Sequence, residues 1–269
     1  MNSIVLARYS EDLHWITQIP DNWEIFIYNK GETISDDFVI ARADHIIERP
    51  NIGRESETYL NHMLTVKGNP RDYTVYAQGD PFTHSPDFLA LLDCWREWED
   101  VQPLSWEWRE DKNVPPRHLL EQTAQAAPDR LRVRPELFSL TQFGALEYED
   151  PGPQGMGMIY RLLQGLPDGT NIAGHLFRKC GLDSLADSAD EHTVGTFAYG
   201  AIFAVRNYRV ANTSPDSLRL LRDFAVAPVT VHGYILERMW LHIFGAEFLR
   251  RKPPLRNRST AAHVFREAS

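Results

Sequence analysis

The segment PNIGRESETYLNHM, residues 50 to 63, collects more chemistry than any other short part of this 269-residue chain. Pro50, Asn51 and Gly53 are turn formers. Behind them a helical pattern carries Arg54, Glu55, Glu57, Asn61 and His62. Two readings compete. The charges form a solvated helix face, with Glu55 and Glu57 complementing the positive end of the helix dipole. Or the turn and the helix start hold a charged ligand, because free backbone N–H groups at a helix start favour anions. His62 on such a helix is more often a satisfied polar neighbour than a ligand.

The elements that would hold this segment follow from hydrophobic periodicity. Ser3 to Tyr9, residues 23 to 31 (WEIFIYNKG) and residues 72 to 79 (DYTVYAQG) read as strands bounded by turn residues. Helices are expected after Ser10, carrying Leu13, Trp15 and Ile16, after Gly53 as far as about Lys67, and over Pro86 to Glu99. Residues 32 to 50 are ambiguous between strand and helix. This alternation predicts an α/β fold with a mostly parallel central sheet and helices on both faces. Residues 100 to about 155 are rich in proline and read as a loop-rich insertion, with WEWRED and HLLEQTAQAA inside it and GPQGMGM (152 to 158) as a flexible loop. Residues 156 to 166 look helical, FAYGAIFAVR (197 to 206) reads as one strand, and a helix starts at Ser214 or Asp216. His232 to Phe248 is a long helix candidate. The domain is expected over 1 to 249, followed by a basic tail over 250 to 269 that includes Arg250, Arg251, Lys252, Arg256 and Arg258.

Composition narrows the function classes. With 43% hydrophobic and 24% charged residues the chain can build one substantial core. A net charge of −9 argues against a broad basic face for duplex nucleic acid. No 18-residue apolar run offers a transmembrane helix, and the N-terminus reads as a strand and not as a signal peptide. Cys94 and Cys180 are too few for a disulfide framework or a zinc motif, and a cytoplasmic protein with reduced thiols is expected. Gly-x-Ser-x-Gly, His-Glu-x-x-His, the P-loop and Gly-x-Gly-x-x-Gly are all missing from the sequence.

The blocks VLARYSEDLHWI, IFIYNKG, PNIGRESETYLNHM, YTVYAQGDP, FAYGAIFAVR and GYILERMWLHIFG, in this order over residues 4 to 245, resemble the GT-A glycosyltransferase-like superfamily. More narrowly, they look like a group of largely uncharacterised fungal and bacterial proteins within it. The resemblance implies a single GT-A-like (Rossmann-like) domain that transfers a sugar from a nucleotide-sugar donor to a small-molecule or glycan acceptor. It implies that the loop with Arg8, Tyr9 and Glu11 holds the nucleobase. Asn51 and Gly53 would then offer N–H groups, Arg8, Arg54 and Asp80 would face the diphosphate, and Arg54 would pair with a phosphate. In the superfamily an Asp-x-Asp holds Mn²⁺ or Mg²⁺ against the departing diphosphate. Here the block reads Gln78-Gly79-Asp80, so only Asp80 remains as catalytic and metal-ligating acid. Either Asp80 works with His84 or a distant ligand, or cationic side chains replace the metal. Gly200 would line the acceptor side, Glu237 would be the general base, and Arg238 would be a binding residue beside it. Two alternatives stay open: a nucleotide- or sugar-binding protein without turnover, and a different biosynthetic enzyme on a repurposed scaffold. Donor, acceptor, stereochemical outcome and oligomeric state are not readable from the chain.

Overall fold

The computed structural model describes residues 1–105, 135–146 and 150–250. Its centre is a six-stranded sheet. In chain order the strands are β1 (Asn2–Arg8), β2 (Trp23–Asn29), β3 (His45–Glu48), β4 (Tyr73–Gln78), β5 (Val101–Pro103) and, much later, β8 (Phe203–Arg206). Their order in space is β3-β2-β1-β4-β8-β5. The first four are mutually parallel, and β8 runs antiparallel to both β4 and β5. The sheet is therefore mixed but mostly parallel, as expected of a Rossmann-like domain. β6 (Glu136–Ser139) and β7 (Val194–Phe197) form a separate antiparallel pair. Strands β5 and β6 both lie in the stretch expected to be loop-rich.

The alternation of side chains along β1 explains why both faces are covered. Ile4 and Leu6 point into one core with Ile25, Ile27, Val75 and Ala77. There they meet α1 (Asp37–Arg42) through Val39 and α3 (Phe88–Asp93) through Phe88, Leu91 and Leu92. Val5 points to the other face with Phe26, Tyr28 and Tyr76. That face is packed by α2 (Arg54–Thr65), α4 (Pro151–Gln164), α5 (Ile172–Lys179), α6 (Asp183–Asp190), α8 (Pro215–Val226), α9 (Val231–Glu237) and α10 (Trp240–Ile243). A strand buried on both sides reads as a nearly continuous apolar run, as SIVLA does.

Several local expectations are corrected. The segment after Ser10 is a short 3₁₀ turn, His14–Gln18, with no side-chain cap from Ser10. The ambiguous stretch splits into α1, capped by Asp36 whose Oδ1 accepts from Phe38 and Val39 N–H, and strand β3. GPQGMGM is helical, because Pro151 and Pro153 stand in the first turn of α4, where a missing N–H costs no hydrogen bond. FAYGAIFAVR is two strands in two different sheets. Gly200 (φ 65°) and Ala201 (φ 56°) turn the chain between them. The long helix candidate near the end is α9 and α10, interrupted at Arg238–Met239. α5, α6 and α7 (Asn207–Asn212) had no counterpart in the sequence reading. WEWRED, HLLEQTAQAA and the basic tail beyond Arg250 lie outside the described residues. Among the described residues no helix is long and apolar enough to cross a membrane. Cys180 is buried, Cys94 is partly exposed, and neither forms a disulfide.

Candidate functional site

The strand order reverses beside β1. β2 and β3 step away on one side, while β4 takes the other. Open α/β sheets bind ligands outside the carboxyl ends of their strands at such a reversal. The parallel register sets Arg8 beside Asn29, and Ala7 beside Gln78, along that edge. A cleft of about 400 Å³ opens there, lined by the ends of β1, β2 and β4, the following loops and the start of α2.

Six residues singled out in the sequence line this cleft: Arg8, Tyr9, Glu11, Asn51, Arg54 and Gln78. Lys30 and Glu55 also line it, and neither had been given a ligand role. Lys30 follows β2 in Asn29-Lys30-Gly31, which reads locally as turn chemistry. Its position at the carboxyl end of the second strand was the available signal.

The cations divide by what already holds them. Arg8 donates from Nε to the Glu11 carbonyl (3.0 Å) and from Nη1 to Asn29 Oδ1 (2.6 Å) and the Glu32 carbonyl (2.6 Å). It ties three loops together in the wall of the cleft, so it is held by the protein and not free. Lys30 is buried. Its Nζ donates to the Ile52 carbonyl (2.8 Å) and the Arg54 carbonyl (2.5 Å), and lies 3.0 Å from Glu57 Oε2. Burial pushes its ammonium pKa down, and Glu57 pulls it back up. Glu57 also pairs with Arg49 Nη2 at 2.5 Å. Glu57 is thus the buried anchor of the turn and not a solvated complement to the helix dipole. His62 is likewise a core residue, with Nδ1 3.0 Å from Tyr28 Oη.

Arg54 is different. It is exposed, and among the described residues no backbone carbonyl takes its guanidinium, which stands 5.0 Å from the Tyr234 ring centre. Burial of part of the side chain works against its charge, but Glu55, Tyr234 and Glu237 outweigh that and hold its pKa up. Its backbone is left-handed (φ 52°), directly after Gly53 (φ 62°). A Cβ on Gly53 would stand 2.7 Å from Glu57 Cβ and 3.2 Å from the Ala225 carbonyl, so only glycine fits. Two consecutive left-handed residues aim the helix start at the cleft, and a non-glycine residue in this conformation costs of order 1 kcal/mol or more. Strain of this kind concentrates where ligands bind.

Glu11 serves the loop after β1: its Oε2 accepts from Tyr9 N–H (2.6 Å) and Ser10 N–H (3.1 Å). Tyr9 is exposed at the cleft mouth, where its ring is available to stack. Gln78 donates from Nε2 to the Gly200 carbonyl (2.9 Å), and Gly200 N–H donates to Glu237 Oε1 (2.9 Å). Gly200 is buried, and a Cβ on it would stand 2.7 Å from His84 Cδ2. It is a junction between Gln78, His84 and Glu237, not a surface that a ligand lines. Glu237 is half-buried. Burial raises its carboxyl pKa and so does the negative charge of Glu55, against the pull of Arg238, the Gly200 N–H and His84. Burial likewise raises Glu55, against the pull of Arg54 and Lys30.

Two residues fall elsewhere. Asp80 is exposed, and its Oδ1 accepts from Phe82 N–H at 3.0 Å, as in a turn. Arg238 is wholly buried, with Nη2 3.2 Å from Asp150 Oδ2 and its guanidinium carbon 4.2 Å from the Phe197 ring centre. It is structural, which corrects its place among the binding residues. The sequence did not reveal the aromatic wall it enters. Among the described residues no group of three or more His, Cys, Asp or Glu is placed to hold a metal ion.

No protein-family model matches this chain, and no curated protein matches it.

Proposed function

We propose that the cleft at the carboxyl edge of β1, β2 and β4 binds a nucleotide sugar, and that the protein is a GT-A-like glycosyltransferase. One observation carries this reading: three sequence-distant blocks, around Arg8, Arg54 and Gln78, converge on a single cleft at the strand-order reversal. In this reading Tyr9 stacks on the base, and Arg54 with the strained turn before it takes the diphosphate. Glu237 receives the proton of the acceptor hydroxyl as the anomeric carbon is attacked.

The residues present do not fit the usual two-carboxylate metal site. Gln78 is spent on the Gly200 carbonyl, and Asp80 stands alone with one oxygen already accepting a backbone N–H. Arg54 is then the group that meets the leaving diphosphate, and no step is drawn through a metal. The same observation favours a second reading, a protein that binds nucleotide sugars without transferring them.

The test is thermal stability against UDP-, GDP-, CMP- and TDP-sugars, each with and without Mn²⁺. A ligand that binds only the folded state stabilises it by about 2.7 kcal/mol at 100 times Kd. We expect one nucleotide class to raise Tm by several degrees, independently of Mn²⁺, and Arg54→Met to abolish the rise. A flat panel at millimolar ligand would overturn the proposal. Binding without release of free nucleotide diphosphate in the presence of acceptors would select the second reading.

A further inference from the structure

Glu237 is the last residue of α9 and is half-buried. A carboxylate there stands at the negative end of the helix dipole, where it is disfavoured. One fixed donor answers it: the Gly200 N–H meets Glu237 Oε1 at 2.9 Å. A hydrogen bond to a charged acceptor is among the stronger ones. Among the described residues no hydrogen bond holds the other oxygen, Oε2.

The turn that aims this N–H does not hold its shape unaided. Gly200 (φ 65°) and Ala201 (φ 56°) are both left-handed, a conformation that alanine rarely adopts. Three side chains hold it. Ser105 Oγ donates to the Tyr199 carbonyl (2.5 Å), with the Ile202 carbonyl 3.3 Å away. The His84 ring closes one face of Gly200, since a Cβ there would stand 2.7 Å from its Cδ2. Gln78 Nε2 donates to the Gly200 carbonyl at 2.9 Å. A carbonyl can only accept, so the amide nitrogen is the end of Gln78 turned to it. Of these three, Gln78 is the one that also lines the cleft. It ends β4 in register with Ala7 of β1, so it is fixed to the centre of the sheet.

We infer that Gln78 is a positioning residue for Glu237: its amide braces the Gly200 turn, and the turn fixes Glu237 Oε1. The two links join residues 122 and 37 positions apart in the chain. Gln78 stands where the resemblance expects the first metal-binding acid. An ionised acid there would have no donor and would face the Gly200 carbonyl with like charge. An amide of the same length donates to it instead. The position is thus a brace on the base and not a metal ligand, which suits a cleft where Arg54 meets the diphosphate. Anchoring Oε1 leaves Oε2 to act. The acceptor hydroxyl gives its proton to Oε2, its oxygen bonds to the anomeric carbon, and the bond from that carbon to the diphosphate breaks. A base held by one oxygen keeps the other in a fixed place, as a productive geometry requires. The role of Glu237 as base rests on the transferase reading. The brace itself does not.

The experiment follows the Gly200 amide and the Glu237 carboxyl of the full chain by NMR through a pH titration. The proteins are the wild type, Glu237→Gln, Gln78→Met and Gln78→Glu. In the wild type the Gly200 amide proton should shift along a carboxyl titration, and Glu237→Gln should abolish that shift. Gln78→Met keeps the length and removes the donor. It should speed solvent exchange of the Gly200 amide roughly two- to tenfold. It should also raise the Glu237 midpoint, because a donor to the charged form is loosened. Gln78→Glu can donate to the carbonyl only when protonated. Compared with the wild type at each pH, its Gly200 exchange should match in acid and be faster above its own titration. A residue that merely fills space would show no such pH dependence. An amide shift that survives Glu237→Gln overturns the brace, and so does Gln78→Met with wild-type exchange and midpoint. Should Gln78→Met fail to fold by circular dichroism, Gln78→Glu decides, since wild-type exchange on both sides of its titration overturns the brace too. None of these readings depends on a nucleotide, so a flat nucleotide panel beside an intact brace would sink the transferase reading and leave the brace standing.

Discussion

Arg54 and Arg238 each stand beside a glutamate, Glu55 and Glu237, and the molecule uses them in opposite ways. Arg54 lines an open cleft on a strained turn. Arg238 has no exposure at all. It sits against Phe197, Phe143 and Phe138 and is neutralised by Asp150 at the start of α4. Residue type does not separate them. What separates them is whether the charge is buried against its acid or exposed at the cleft. A buried arginine needs its acid on site, because an unpaired charge in a low-dielectric interior is costly. An exposed one is solvated by water and can exchange that water for a phosphate.

This contrast breaks most visibly at Arg238. Arg238→Met should lower the unfolding free energy by about 3–5 kcal/mol, since the buried Asp150 loses its guanidinium partner. Urea denaturation reads it. Adding Asp150→Asn should return part of the loss, and no return would mean that Arg238 acts by packing alone.

A second effect is a matter of protons. His62 and His242 are buried, and burial holds each pKa down at about 4. Unfolded, they take up protons near pH 6.5. Their contribution is therefore complete above pH 6.5 and is lost as pH falls towards 4, by up to about 3 kcal/mol each. Tm against pH should decline over that window, and His62→Phe should flatten the decline. Glu55 and Glu237 run the other way. Their pKa values are raised, so their contribution is complete below the ordinary glutamate value and is lost as pH rises through the raised one. Glu237→Gln should remove part of that loss.

Gly53→Ala is expected to cost about 1–2 kcal/mol, because it forces a Cβ onto Glu57 and a side chain into a left-handed turn. It should also weaken any ligand-induced rise in Tm, which a defect elsewhere in the core would not do. The smallest change in stability belongs to Arg54→Met, within about 0.5 kcal/mol as for other surface substitutions. Its effect is on binding: the nucleotide-dependent rise should vanish while the protein melts where it did. If Arg54→Met destabilised as much as Arg238→Met, the distinction between the two arginines would fail.

The main sheet was legible because its parallel strands are buried on both faces, and burial writes short apolar runs such as SIVLA and EIFIY into the chain. The breaks were harder to see. FAYGAIFAVR keeps one apolar pattern across two sheets, and only the left-handed backbone at Gly200 and Ala201 parts them. GPQGMGM has loop composition but folds as a helix, because its prolines fall in the first turn. At the site, Arg54, Asn51 and Gln78 could be picked out from turn chemistry and block order. Glu55 could not, since nothing local separates a cleft carboxyl from a helix-start acid, and for Lys30 the one signal was its place after the second strand.

The sequence by itself determined the α/β class, the strands that carry the cleft and the turn before α2, because these depend on periodicity and on residues with special backbone freedom. Tertiary structure alone decided which charges are satisfied within the protein. It turned Arg8, Lys30 and Glu57 inward as ties, and sealed Arg238 among aromatic rings. The physical reason is that the fate of a charge depends on what surrounds it in space, and for these residues the surroundings come from distant parts of the chain.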